Sequence, residues 1–213
     1  MIRLLIVDDH ELVRVGLREI LADYPMIEIV GEAGNGETAI RLTRELWPDV
    51  VLLDISMPGL SGLETTRRLK KARSTLAVII LSVHAEPPYP ERLMAAGASG
   101  YLTKDCAVTE LVQAIRTVAR GSRHIGSSVA QGMALGILPG GSSSTPFDEL
   151  STREMEVMLM LAEGQRVSDI ANVMHLSPKT VATYKYRIFE KLDTKNDVAM
   201  TRMAMRYGIV APV

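Results

Sequence analysis

The sequence predicts two units of different class: an α/β unit with a doubly wound parallel sheet over residues 1–121, and an all-α unit over 147–213. Three observations carry this. Short unbroken apolar runs alternate with helical patterns in the first half, as strands buried on both faces do. Each run leads into a polar residue that can carry chemistry. From Phe147 onward the apolar residues keep helical spacing alone.

Strands are expected at 3–8, 28–32, 49–54, 77–82 and 99–102. Leu4-Leu5-Ile6-Val7 ends on Asp8-Asp9, Val50-Val51-Leu52-Leu53 on Asp54, and Val78-Ile79-Ile80-Leu81 on Ser82. Gly100-Tyr101-Leu102 leads through Thr103 to Lys104. Between them lie helical patterns. In 11–22, Leu12, Val13, Gly16, Leu17, Ile20 and Leu21 recur at helical spacing; in 109–120, Leu111, Val112, Ala114, Ile115 and Val118 do so. Gly34-Asn35-Gly36 reads as a tight turn before a helix, since it lacks the lysine and spacing of a phosphate-binding loop. Five β-α units imply the flavodoxin-like order 2-1-3-4-5, which sets the first and third strands side by side. Neighbouring strands lie about 4.8 Å apart, so Asp8, Asp9 and Asp54 are expected to share one pocket at the carboxyl ends of the strands.

Gly121-Ser122 ends that unit. Residues 122–146 read as a linker, in which 127–138 has the composition of one short helix and Pro139 to Pro146 that of a flexible connector. Ser151-Thr152-Arg153-Glu154 is a capping box, opening a helix that Gly164 closes. A short helix follows, carrying Val167, Ile170, Ala171 and Met174. After a turn at His175-Leu176, Ser177 caps a third helix that starts at Pro178 and runs to about Leu192. A fourth begins near Lys195-Asn196 and ends before Gly208.

Composition sets the outer limits. The chain has 213 residues, 47% hydrophobic and 23% charged, with a net charge of −1. These values exclude a disordered chain and give no global argument for nucleic acid or membrane. No apolar run approaches the ~20 residues of a membrane span. Met1-Ile2-Arg3-Leu4 enters a strand directly, so no signal peptide is expected and the protein is placed in the cytoplasm. The single Cys106 cannot form an internal disulfide, which fits a reducing compartment, and reads as buried filler.

Three carboxylates, a hydroxyl and an ammonium at successive strand ends can hold a divalent cation and receive a phosphoryl group. Magnesium takes oxygen ligands in near-octahedral geometry. Asp9 and Asp54 are expected to bind it directly, Asp8 to hold a bound water, and the Ser56 backbone carbonyl to complete the protein ligands. Asp54, alone on its strand, is the expected phosphoacceptor, with Lys104 and Ser82 contacting phosphoryl oxygens. His84, two residues past Ser82, reads equally as a solvated loop residue or a group that tunes phosphate lifetime. A phosphohydrolase with an aspartate nucleophile is the enzymatic rival. Such enzymes place a second Asp two residues on, where this chain has Ser56, so no enzyme is expected.

Asp8-Asp9-His10, Asp54-Ile55-Ser56-Met57-Pro58-Gly59, Ser82 and Tyr101-Leu102-Thr103-Lys104 resemble the receiver domain of two-component response regulators, over about 1–121. The resemblance implies that Asp54 takes phosphate from a sensor histidine kinase, that Asp8 and Asp9 serve magnesium, and that Ser82 and Tyr101 form the conformational switch. Two departures stand out. Asp105 follows Lys104 where many receivers have proline, leaving the geometry of that bond open. Pro87-Pro88-Tyr89-Pro90 is expected to shorten or reshape the fourth helix.

In the second unit, Val167 to Leu192 reads as two helices joined by a short turn, a helix-turn-helix. The second helix offers Lys179, Ala182, Thr183, Tyr186 and Arg187 on its exposed face, with Val181, Tyr184, Ile188, Phe189 and Leu192 inward. Residues near the start of such a helix reach base edges, so Thr180 joins the candidate set; Lys179, Lys185, Arg187 and Lys191 are expected at phosphates. Between His175 and Lys191 these four bases stand against Glu190 alone. Leu150 to Glu154, Ile170-Ala171 and Leu176 to Leu192 resemble the LuxR-type helix-turn-helix. With the receiver, the combination resembles NarL/FixJ response regulators, with Tyr184 to Leu192 and Pro146 to Leu150 closest to the GacA/UvrY-like branch. That resemblance implies a BarA/GacS-like sensor kinase, double-stranded promoter DNA, small regulatory RNA genes as targets, and a homodimer in the active state. RNA polymerase is a further candidate partner. Ala182 stands where many relatives have Lys or Asn, so one DNA contact is expected to be missing. The alternative is a constitutive DNA-binding regulator whose receiver serves only as a dimerisation module.

Overall fold

Strand runs that are apolar at every position need cover on both faces, and the sheet they build has it. The computed structural model describes residues 1–55, 57, 59–83, 89–137, 145–174, 176–207 and 209–210, without the side chains of 134–137 and 152. The chain divides into two compact units, Met1–Ala134 and Leu135–Val213.

The first unit runs β1 (Ile2–Val7), α1 (Glu11–Ala22), β2 (Ile27–Ala33), α2 (Gly36–Leu46), β3 (Val50–Asp54), α3 (Gly62–Ala72), β4 (Ala77–Ser82), α4 (Tyr89–Ala95), β5 (Gly100–Thr103), α5 (Val108–Ala119), β6 (His124–Ile125) and the start of α6 (Ser127–Ile137). All strand pairs are parallel, in the order β2-β1-β3-β4-β5-β6. The two-residue alternation of a strand sorts the core into two layers. Leu4, Ile6, Leu52, Ile79 and Leu102 pack with Leu17 and Leu21 of α1 and Leu111, Ile115 and Val118 of α5. Leu5, Val7, Val51, Leu53, Ile80 and Tyr101 pack with Ala39 of α2, Leu69 of α3, Leu93 of α4 and Val129 of α6. Each fully buried aliphatic side chain contributes about 1.5–3 kcal/mol, so the sheet ends are fixed by what lies behind them.

Local signals set several boundaries. Asn35 caps α2, its side chain accepting the Thr38 N–H at 2.8 Å, as the tight-turn reading requires. Gly121, at φ +84, follows the end of α5, a backbone conformation that glycine adopts without strain. The fourth helix is seven residues long, with Pro90 in its first turn. Pro87, Pro88 and the connector 138–144 lie outside the described residues.

Three findings differ from the sequence reading. Among the described residues the sheet has six strands, the added β6 pairing with β5 through only two residues, too few for a periodic signal. Its flanking bonds run from His124 N–H to Ser99 C=O at 3.0 Å and from Gly126 N–H to Tyr101 C=O at 2.8 Å. The compact unit extends to Ala134 instead of ending at Gly121: Val129 is fully buried and Met133 packs against the same layer. Leu12 and Ile20 are 86% and 38% exposed, because α1 turns Val13, Leu17 and Leu21 inward.

The second unit holds a 3-10 turn (Pro146–Glu149), α7 (Thr152–Ala162), α8 (Val167–Met174), α9 (Pro178–Lys191) and α10 (Asp197–Arg206). Its core is Phe147, Met155, Met158, Met160, Ile170, Val181, Ile188 and Met200, with Phe147 edge-on to Tyr207 at 5.8 Å. The capping box is formed at Ser151 and Glu154. A buried glutamate, Glu156, is held by Arg153 at 2.9 Å. Among the Met side chains of these helices, Met203 and Met205 are half-buried.

One consequence is measurable. A fragment ending at Ala134 is expected to melt at a higher temperature than one ending at Gly121, which lacks β6 and the Val129 contact. Equal melting temperatures would mean that the segment after Gly121 adds nothing to the sheet.

Candidate metal centre and nucleic-acid interface

The parallel register brings four strand ends together. Val7 pairs with Leu53, Asp54 with Leu81, and Ser82 with Thr103, so Asp8, Asp54, Ser82 and Lys104 lie side by side. Asp8, Asp54 and Ser82 are buried. Two buried carboxylates repel each other and lose hydration, and Lys104 answers both. Its Nζ lies 2.8 Å from Asp8 Oδ2 and 2.8 Å from Asp54 Oδ2. Its backbone N–H donates to the Ser82 carbonyl at 2.7 Å, fixing where the side chain starts. Burial works to lower the Lys104 pKa, but hydrogen bonds and charge from Asp54 and Asp8 prevail and raise it above its ordinary 10.5.

The acidic turn after β1 completes the cluster. Asp8 Oδ1 accepts the His10 N–H at 2.8 Å, and the Asp8 carbonyl accepts Arg14 Nη1 at 2.8 Å. His10 Nδ1 lies 3.0 Å from Asp9 Oδ1 and 3.3 Å from Asp8 Oδ1. Asp9 Oδ1 is buried and makes no hydrogen bond, the imidazole 3.0 Å away being its close neighbour. Ligand atoms of Asp8, Asp9, His10 and Asp54 fall within 4.8 Å of one another. An orphaned buried oxygen among carboxylates fits a hard dication.

Tyr101 is fully buried and its hydroxyl is hydrogen-bonded to the Ser82 side chain. Burial raises its pKa, and the charge of Asp54 adds to the effect. Cys106 is half-buried, with its thiol pushed up chiefly by burial, which suits inert filler. Ser56 and His84, both singled out in the sequence, lie outside the described residues.

In the second unit, Ser177 caps α9 by accepting the Thr180 N–H at 3.1 Å, with Pro178 at the first helical position. Lys179, Ala182, Thr183, Tyr186 and Arg187 are exposed, Tyr186 at 70%. Thr180 is half-buried, its Oγ1 2.8 Å from Ser177 Oγ. A shallow depression along the start of α9 is lined by Ser177, Lys179, Thr180, Thr183, Tyr184 and Arg187. Val181, Ile188 and Leu192 are buried, Tyr184 and Phe189 only partly. Two lysines of the expected phosphate set are paired within their own unit. Lys185 Nζ lies 2.6 Å from Asp197 Oδ2 and over the Phe189 ring. Lys191 Nζ lies 2.7 Å from Glu154 Oε2 and donates to the Glu149 carbonyl at 3.0 Å, tying α9 to the capping box of α7.

Comparison with known proteins identifies the family of each unit. Residues 4–116 match the response regulator receiver domain, and residues 148–204 match the bacterial regulatory proteins of the luxR family. The chain belongs to the two-component response regulators. This regulator is 48% identical over 209 residues to response regulator UvrY of Escherichia coli K12, covering 98% of this chain and 96% of that one. It is 48% identical over 210 residues to response regulator GacA of Pseudomonas aeruginosa, covering 99% and 98%. Among solved structures, RcsB of Salmonella enterica serovar Typhimurium, bound to promoter rprA in the presence of the phosphomimetic BeF3−, matches at 26% identity. That match has a TM-score of 0.75 and covers 95% of this chain and 98% of that one. The regulator thus joins a receiver to a LuxR-type DNA-binding domain and acts in transcription regulation. No helix among its described residues is long and apolar enough to cross a membrane.

The sequence-predicted residues Asp8, Asp9, Asp54, Ser82, Tyr101 and Lys104 gather at the strand ends of the receiver. His10 stood in the quoted motif without a role. Arg14 carried no signal, because its bond to the Asp8 carbonyl depends on how α1 returns over the turn. The Lys104 contacts make stability pH-dependent. A lysine with a raised pKa stabilises the fold fully below its unfolded value and loses that contribution as pH rises through the folded value. Unfolding free energy is therefore expected to fall above pH 10.5. The fall should be shallower in Lys104→Met, where Tyr101, Cys106 and Lys70 still titrate but the Lys104 contribution is gone. Denaturant titrations from neutral to alkaline pH check this; an identical slope in the variant would contradict the assignment.

Proposed function

We propose that Asp54 is the phosphoacceptor of this regulator and that its phosphorylation controls DNA binding by the LuxR-type domain. The observation that carries this reading is the buried Asp54 carboxylate, bridged by Lys104 to Asp8 and sharing its pocket with Asp9 and Ser82. The Asp54 oxygen attacks the phosphorus of a kinase phosphohistidine. The O–P bond forms, the P–N bond breaks, and the imidazole leaves and takes up a proton. Lys104 then pairs with the new phosphoryl oxygens, and the Ser82 hydroxyl donates to them, drawing on its bond with Tyr101. Asp8, Asp9, Asp54 and the Ser56 carbonyl would hold Mg2+, which supplies positive charge against the phosphoryl oxygens. The buried, unbonded Asp9 oxygen supports that assignment.

At the other end, Lys179, Thr180, Ala182, Thr183, Tyr186 and Arg187 would meet a promoter major groove. Lys185 and Lys191 are neutralised within their own domain and would contribute less at phosphates. The likeness to GacA and UvrY supports a BarA/GacS-like sensor kinase, a homodimeric active form, small regulatory RNA genes as targets and a cytoplasmic, non-enzymatic role.

Intact mass after acetyl phosphate, followed by titration onto a labelled promoter fragment, tests the switch. One magnesium-dependent phosphoryl adduct is expected, absent in Asp54→Ala, together with tighter DNA binding. Lys104→Ala should accept phosphate without the gain in affinity. DNA affinity unchanged by the adduct would favour constitutive binding with the receiver as a dimerisation module.

A second test separates the basic residues of α9. Lys179→Ala should lower the salt dependence of DNA binding by about one ion. Lys191→Ala should instead lower the melting temperature and leave that slope unchanged. The reverse pattern would move Lys191 to the DNA face.

A further inference from the structure

The acidic turn is held from behind by a side chain that phosphoryl transfer does not use. Asp8 is bonded at four points. Its N–H donates to the Ala33 carbonyl at 3.1 Å, Oδ1 accepts the His10 N–H, Oδ2 meets Lys104, and its carbonyl accepts Arg14 Nη1 at 2.8 Å. Arg14 is itself fixed. Its Nε lies 3.2 Å from Glu32 Oε2, while Glu32 Oε1 takes Arg18 Nη1 at 2.8 Å. Glu32 stands on β2 in register with Ile6 of β1, so the brace is anchored in the sheet. The Arg14 side chain is only 18% exposed.

A hydrogen bond to a carbonyl fixes the plane of its peptide. The carbonyl of Asp8 belongs to the Asp8–Asp9 peptide, so the bond to Arg14 holds the backbone from which the Asp9 side chain leaves. Asp9 Oδ1 makes no hydrogen bond of its own, its close polar neighbour being the exposed His10 imidazole at 3.0 Å. Groups that orient metal ligands without touching the metal typically change affinity by 10–100-fold when removed.

We propose that Arg14, braced by Glu32, is a positioning residue that presents the Asp9 carboxylate to a divalent cation shared with Asp54. The proposal rests on the magnesium reading given above. It is tested by calorimetric titration of the full chain with Mg2+, beside melting in EDTA. Four proteins are compared: wild type, Arg14→Met, Glu32→Gln and Asp9→Asn. Methionine keeps the packing of the Arg14 stem and removes the bond. Arg14→Met is expected to weaken Mg2+ binding about tenfold or more, and Glu32→Gln to weaken it less, because glutamine still accepts from Arg14. A purely structural role would lower the melting temperature and leave the Mg2+ affinity at the wild-type value, which would overturn the proposal. If Arg14→Met does not fold, Glu32→Gln decides by the same criterion, with Arg14→Lys expected to fall between wild type and loss. Failure of the magnesium reading looks different: wild type would take up no Mg2+, or Asp9→Asn would bind it unchanged.

Discussion

Two carboxylates buried at the ends of adjacent parallel strands, and one ammonium between them, are the constraint on which this receiver depends. Asp8 and Asp54 have almost no solvent to share their charge with, so the ion pair with Lys104 carries the electrostatics of the pocket. Breaking a buried pair by removing one partner typically costs about 3–5 kcal/mol. That is a large fraction of the stability of a domain this size. The same crowding that threatens the fold makes the pocket avid for positive charge. A phosphoryl group arriving on Asp54 adds negative charge where Lys104 is already stretched between two partners, so the pairings cannot stay as they are.

The sheet supplies the rigidity that this arrangement needs. Strands apolar on both faces are locked by two separate layers of helices, and their ends cannot slide without moving every side chain behind them. Tyr101 joins the two functions, since its ring belongs to one apolar layer while its hydroxyl meets Ser82. A change at the pocket is therefore felt in packing as well as in charge.

The pocket was legible in the sequence because Asp8, Asp54 and Ser82 directly follow apolar runs, with Asp9 and Lys104 one residue further on, and a parallel sheet converts that pattern into proximity. The helix-turn-helix was legible for a similar reason: the caps at Ser151 and Ser177 and the apolar spacing between them mark the helices. What stayed hidden depends on contacts between distant segments. Lys191 meets Glu154 and Lys185 meets Asp197, and a basic stripe in the sequence does not show which of its members are neutralised at home. Arg14 hid in the same way, as did the burial of Val129. Leu12 and Ile20 show the opposite failure, for apolar spacing on a helix does not say which edge of the stripe faces the core.

The shortest strand of the sheet has a role out of proportion to its length. Without β6, β5 would present a free row of backbone groups, and such rows invite another chain to add to them. β6 occupies that row with two residues and then turns at Gly126 into a helix whose Val129 packs down on the same layer. It offers a newcomer too little extended backbone to build on. The segment that leaves the receiver thus also covers one edge of its sheet, where an open row of backbone groups would invite a further strand.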